Sequence, residues 1–430
     1  MSTFRPVTAT AVVVANMIGT GVFTSLGFQL LDIESGFPLM MLWAVGGLTA
    51  LCGALTYAEL GATLPRSGGE YNFLTEIYHP GAGFISGWIS ATIGFAAPVA
   101  LAAITFGTYL ASVFPSLEPV VAACLLVVLL TGVHSTSHRS SGEVQTVFTA
   151  LKVLAILGFC SAALLLAPAR QPIDFLPAAG DGALIAGGAF AVSLIFVNYA
   201  YTGWNAATYL TNEIAEPQRH MPRILVGGTA AVMALYLLLN FTFLYVAPID
   251  AMKGKVEIGY IAATFAFGEA GGQIMAVVLA ALLISTVSAM IMAGPRVLQV
   301  IGQDINPFRL LAVTNRDGIP VVAIVVQSLL TLVFILTSTF ESILVFSGFV
   351  LAINTLFAVG GIYVLRWRDP RRERPYRTFG YPVTPAIYLL LNLWTLTYIA
   401  MERPEEALFG IALILVGGMF YVVAARFNAR

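Results

Sequence analysis

Long apolar stretches separated by short polar connectors run along almost the whole chain. A window of about 20 apolar residues marks a helix that crosses a bilayer. Twelve such spans are expected, over 7–30, 38–63, 84–113, 119–135, 143–167, 183–211, 223–246, 271–297, 319–338, 342–366, 382–400 and 406–425. Two are interrupted by glycine: Asn16-Met17-Ile18-Gly19-Thr20-Gly21-Val22-Phe23 in the first, and Phe196-Val197-Asn198-Tyr199-Ala200-Tyr201-Thr202-Gly203-Trp204-Asn205 in the sixth. Glycine inside a helix costs about 1 kcal/mol against alanine. In hydrocarbon, an unwound backbone also leaves amides and carbonyls unpaired unless they line a cavity or hold a ligand. Broken spans at equivalent points of two halves point to a binding site near the bilayer midplane.

Composition narrows the class. Of 430 residues, 58% are hydrophobic and 10% charged, against about 25% charged in soluble domains, and the mean hydropathy is +0.88. The fold class expected is an all-α polytopic membrane protein, residues 1–430 forming one membrane domain. A net charge of −1 and the lack of a basic block leave no surface for nucleic acid. Cys52, Cys124 and Cys160 lie in apolar runs and read as buried thiols. His79, His134, His138 and His220 fall in the polar connectors without metal-ligand spacing, so neither metal nor cofactor is expected. Met1–Pro6 is too short for a cleavable leader.

Charge distribution orients the chain. Even parity puts both termini on one side. If that side is the cytoplasm, sixteen Lys and Arg residues lie inside, including the cluster Arg366, Arg368, Arg371, Arg372, Arg374 and Arg377, and only Arg170, Lys253, Lys255 and Arg403 lie outside. The expectation is a multi-pass protein of the cell membrane with cytoplasmic termini.

The breaks carry the candidate chemistry. Unwinding at Gly19-Thr20-Gly21 presents amides and the positive end of a half-helix, a site for a carboxylate. Freed carbonyls around Tyr199, Ala200 and Thr202 suit an ammonium group. Donors facing acceptors across a small cavity describe a receptor for an α-amino acid zwitterion. Lys152 lies well inside span five, about ten residues or about 15 Å of helix from Ser141 and Gly142. Its charge is costly there and should face the bundle interior. Gln145, Thr149 and Lys152 share one helix face, and so do Ser285 and Ser288 in span eight. Tyr236, four residues before Asn240, is an intramembrane hydroxyl that must find a partner. Glu59 is either a proton carrier or a loop anchor held by arginine or backbone contacts. Glu213, Glu216, Arg219 and Arg223 suggest ion pairs at a gate or loop.

These segments resemble the amino acid–polyamine–organocation (APC) superfamily. The resemblance rests on Gly19-Thr20-Gly21-Val22-Phe23, on Tyr57-Ala58-Glu59-Leu60-Gly61 running into Pro65-Arg66-Ser67-Gly68-Gly69-Glu70-Tyr71, on Tyr201-Thr202-Gly203-Trp204-Asn205 leading to Glu213 and Pro217, and on Gly294-Pro295-Arg296. Within it the chain is most similar to the L-type amino acid transporters and their bacterial relatives. The resemblance implies a LeuT-like 5+5 inverted repeat, 5–167 and 183–366, plus two C-terminal helices over 382–425. It implies substrate contacts at Ile18, Gly19, Thr20, Gly21, Val22, Tyr199, Ala200, Tyr201, Gly203, Trp204, Asn205 and Tyr236. It also implies that Lys152 occupies the place of a sodium ion, tying span five to span one and to Ser285 or Ser288. Relatives commonly have Phe where this chain has Tyr199. The connector Pro115-Ser116-Leu117-Glu118-Pro119 has no cysteine, so no disulfide-linked heavy chain is expected; a homo-oligomer is compatible with the sequence.

The reading is therefore a sodium-independent carrier of L-amino acids, with neutral ones expected, working by alternating access as an exchanger or proton symporter. A polyamine or organic-cation carrier of the same fold and a nontransporting amino acid sensor are the alternatives. No intramembrane nucleophile with a base supports an enzyme, and no symmetric polar ring supports a channel.

Overall fold

The computed structural model describes residues 5–136, 142–304, 306–316 and 318–428. They form helices joined by turns, with no sheet among the described residues. The first span is split into α1 (Pro6–Met17) and α2 (Gly21–Gln29). Next come α3 (Gly36–Thr63) and the short α4 (Glu70–Ile77). α5 (Pro80–Ile89) runs through a π-helical turn, Ser90–Gly94, into α6 (Ala96–Val113). α7 (Pro119–Thr136) and α8 (Gly142–Leu166) follow. A one-turn α9 (Asp181–Ile185) leads to α10 (Gly188–Tyr201) and, past a break, to a 3-10 helix, Ala206–Glu213. The remainder is α11 (Pro217–Val246), α12 (Ile249–Met252), α13 (Ile258–Asp304), α14 (Val321–Thr337), α15 (Phe340–Arg368), α16 (Val383–Glu402) and α17 (Pro404–Asn428).

Local chemistry sets these boundaries. Proline opens α1, α5 and α11, where its missing N–H would have no helical partner and its fixed φ suits the first turn. Thr339 caps α15 by accepting from the Ser342 amide at 3.1 Å. Ten helical stretches among the described residues are long and apolar enough to cross a membrane. Two of the twelve expected spans are shorter: α14 has 17 residues, and α10 has 14 because it ends at the break. The span expected at 271–297 lies within α13, which starts at Ile258 and kinks at Gly268.

α3 packs along α11 and α6 along α13, while α1 lies against α8 and α11. Outward faces of α7 and α17 expose Leu125, Leu129, Leu408, Phe409, Leu415 and Met419. Buried positions include Glu59, Glu70, Lys152, Asn240 and Asn354. Polar groups inside and aliphatic groups outside are what a hydrocarbon solvent selects, and the chain is a multi-pass helical membrane protein.

Glu59 is an anchor. Its carboxylate accepts from Arg366 Nε at 2.9 Å, Arg366 NH2 at 2.6 Å and the Thr378 amide at 2.6 Å, with Arg374 Nε 3.4 Å away. The contacts pin α3 to the loop after α15. Of the ion pairs expected around Glu213 to Arg223, Glu216–Arg219 forms at 3.5 Å on the surface, while Glu213 lines an interior cavity. Among the histidines, His79 is exposed in the connector before α5 as expected, whereas His134 departs from expectation. His134 belongs to the last turn of α7, where its Nε2 lies 2.8 Å from Ser288 Oγ, so it joins two helices rather than sitting in a connector. His79 accepts from the Gly81 amide at the start of α5, and His220 contacts the Ala215 carbonyl. His138 and the side chain of Gln145 lie outside the described residues.

Candidate functional site

The two broken helices touch at their breaks. A Cβ on Gly21 would stand 2.6 Å from Ala200 Cα, and one on Gly203 would stand 2.8 Å from the Asn16 carbonyl carbon. Each glycine therefore admits the other segment's backbone, and Gly203 also has φ 106°, which side-chain-bearing residues rarely adopt.

In the first break, α1 ends at Met17 and α2 begins at Gly21. The Gly19 amide folds back onto the Met17 carbonyl at 2.8 Å. The amides of Thr20, Gly21 and Val22 have no backbone acceptor among the described residues. Three donors at the positive end of a half-helix thus remain for an anion. The second break begins two residues later than expected. α10 continues through Tyr201, the Tyr199 carbonyl accepts from the Thr202 amide at 2.9 Å, and the Ala200 carbonyl accepts from Tyr236 Oη at 3.1 Å. Carbonyls of Tyr201 and Thr202 accept from neither a backbone nor a side-chain donor among the described residues, whereas the Asn198 carbonyl accepts from Thr202 Oγ1 at 3.3 Å. Tyr236, fully buried, also donates to the Met17 carbonyl, so one hydroxyl joins both breaks.

Lys152 braces the first break from α8. Its Nζ donates to the Ile18 carbonyl at 3.0 Å and to Thr286 Oγ1 at 2.7 Å. Thr286, on α13, takes the place expected for Ser285 or Ser288: Ser285 donates to the Leu282 carbonyl of its own helix, and Ser288 meets His134. Thr149, one turn before Lys152, donates to the Ala11 carbonyl of α1 at 3.4 Å.

A cavity of about 510 Å³ joins these parts. Gly19, Thr20, Gly21, Tyr199, Ala200, Tyr201, Gly203, Trp204, Asn205 and Lys152 line it. Ile18 and Val22 are packed in the core, and the Tyr201 ring packs at a tilt against Trp43 and Tyr236 while its hydroxyl donates to the Trp43 carbonyl. The cavity reaches the surface at exposed Arg66 and Arg296. On the opposite side Phe28 of α2 stacks between Phe196 of α10 and Phe340 of α15, with centroids 5.7 Å apart in both pairs.

Glu70, absent from the sequence-derived site, sits on the cavity wall with only 1% of its surface exposed. Its carboxylate accepts from Tyr57 Oη at 2.9 Å, Tyr209 Oη at 2.5 Å and Asn205 Nδ2. Gly69, at φ 52°, lets the segment press against the Tyr209 ring, where a Cβ would lie 2.7 Å away. The sequence signal was an acidic residue directly after two adjacent glycines. No group of three or more His, Cys, Asp or Glu able to hold a metal occurs among the described residues.

A helical bundle whose two broken spans meet beside a cavity open on one side is the architecture of a membrane transporter. The family model of the amino acid permeases matches residues 4–425, and the chain belongs to that family, within the APC superfamily. It is 30% identical to the large neutral amino acids transporter small subunit 2 of Oryctolagus cuniculus, over 99% of this chain and 80% of that protein. The same-named protein of Homo sapiens is 29% identical over 99% of this chain and 80% of its own length. The b(0,+)-type amino acid transporter 1 of Homo sapiens is 26% identical over 97% of this chain and 87% of its own length. These relatives are transporters, not enzymes.

Proposed function

We propose that this protein is a sodium-independent carrier of neutral L-amino acids that works by alternating access in the cell membrane, with both termini cytoplasmic. The observation that carries the reading is the pairing, in one cavity, of free amides at Thr20 and Gly21 with free carbonyls at Tyr201 and Thr202. A carboxylate fits the donors and an ammonium group the acceptors. Lys152 already holds a positive charge against the Ile18 carbonyl, which supports independence from sodium. The names of the relatives support an amino acid as cargo.

In this conformation the phenylalanine stack closes one side, and the cavity mouth opens on the side of Arg66 and Arg296. Transport then requires the stack to part and the opposite mouth to close. We place the moving and supporting helices in two inverted repeats, 5–167 and 183–366, followed by 382–425, twelve spans in all. The absence of cysteine from 115–119 leaves no thiol there for a disulfide-linked second subunit. Uptake of radiolabelled neutral L-amino acids into proteoliposomes tests the reading, with and without sodium, internal amino acid and a pH gradient. Sodium-independent uptake is expected; strict sodium dependence, or binding without uptake, would overturn it.

A further inference from the structure

Beyond the two breaks, the cavity continues past α10 to a wall built by α15 and α16, where Asn198, Asn354, Thr355, Tyr388 and Asn392 border it. Asn354 and Asn392 lie near the middle of their helices. Tyr388 Oη donates to Thr355 Oγ1 at 2.7 Å, so this pair is satisfied and fixed. The three carboxamides are not. Asn354 is 4% exposed and makes no hydrogen bond among the described residues. Asn198 Nδ2 is fully enclosed without a partner. Asn392 uses Nδ2 on the Tyr388 carbonyl at 2.9 Å, which leaves its Oδ1 free.

Carboxamides kept inside a membrane domain without partners are costly, and here they converge on one cavity with both donors and acceptors on offer. The wall holds no charged side chain. Glu70 already accepts from three donors and Lys152 already donates to two acceptors, away from this wall. We infer that this wall receives the side chain of the cargo, and that the favoured cargo is an amino acid bearing a carboxamide, asparagine or glutamine. The inference rests on the carrier function proposed above. A carboxamide matches the wall group for group, whereas leucine, of nearly the same shape as asparagine, would strip water from Asn354 and return nothing. Sites built to hydrogen-bond a cargo's polar group reject the apolar analogue by large factors.

The test is a thermal-shift titration of the purified full-length protein with L-asparagine, L-glutamine and L-leucine, repeated on Asn354→Leu and Asn392→Leu. Asparagine or glutamine should bind at least about tenfold more tightly than leucine, and Asn354→Leu should narrow or invert that ratio. Equal affinities in the parent overturn the inference, and that comparison stands even if a variant fails to fold. A variant that weakens all three ligands alike overturns it too. If none of the twenty amino acids shifts the melting temperature, the carrier reading itself falls, and this inference with it.

Discussion

Lys152 Nζ lies 3.0 Å from the carbonyl oxygen of Ile18, the first residue past the end of α1. That carbonyl has left the helical ladder, and the lysine supplies the donor it lost. One charged side chain thus answers two demands: the carbonyl is paired, and the cation is held by oxygen atoms inside the bundle.

Lys152→Ala should lower uptake at least about tenfold while the protein still purifies as a folded species. An unpaired buried carbonyl costs about 1–3 kcal/mol, and the break loses its brace to Thr286. Initial uptake rates in proteoliposomes, set beside elution profiles, check both halves of the expectation.

Gly19 and Gly21 should respond differently to substitution. A Cβ on Gly19 meets only the Met17 carbonyl oxygen, at 4.0 Å, whereas one on Gly21 collides with the Ala200 backbone. Gly19→Leu should preserve the fold and block binding by filling the cavity. Gly21→Ala should lower the melting temperature, because the two breaks must separate. Ligand titrations and melting curves of both variants distinguish the outcomes.

Glu70→Ala should loosen the 3-10 helix after the second break, since Tyr57, Asn205 and Tyr209 all lose their acceptor. Leaving buried donors unpaired costs about 1–3 kcal/mol each at most, so a melting temperature several degrees lower is expected. Tyr209→Phe, which removes one donor, should show a smaller drop. Protease protection of the segment 206–213 in the two variants reports whether the loosening is local.

Glu59→Ala should destabilise by about 3–5 kcal/mol, because it leaves Arg366 and Arg374 without their buried partner. Adding Arg366→Ala should restore part of that loss. A double-mutant cycle on melting temperature measures the coupling.

The positions of the breaks were legible because Gly19-Thr20-Gly21 and Thr202-Gly203 fall at equivalent points of the two halves; glycine alone does not mark a break, since Gly46-Gly47 and Gly227-Gly228 lie inside the continuous helices α3 and α11. Their edges were not. α10 runs on through Tyr201, which tolerates helix, and turns only where Thr202 and Gly203 leave helical dihedrals. Lys152 was readable as an interior cation, but its partner on α13 was misassigned by one or two residues. The phase of that helix depends on the kink at Gly268, which hydropathy does not register. Glu70 escaped notice because its three donors come from α3 and from the chain after the second break, far away in sequence. The asparagine wall was hidden in the same way: Asn198, Asn354 and Asn392 sit on three helices whose rotations only packing determines.

The stack of Phe28, Phe196 and Phe340 has an electrical consequence. Solvent entering at Arg66 and Arg296 carries the potential of that compartment down to the breaks, so most of a transmembrane voltage falls across the aromatic layer and what lies beyond it. Each elementary charge moved through that layer exchanges about 2.3 kcal/mol per 100 mV with the field. On the carrier reading proposed above, a zwitterion passes with no net charge and is electrically silent. Current recorded during turnover therefore counts the ions that travel with the amino acid, and zero current at a measurable flux means that none does.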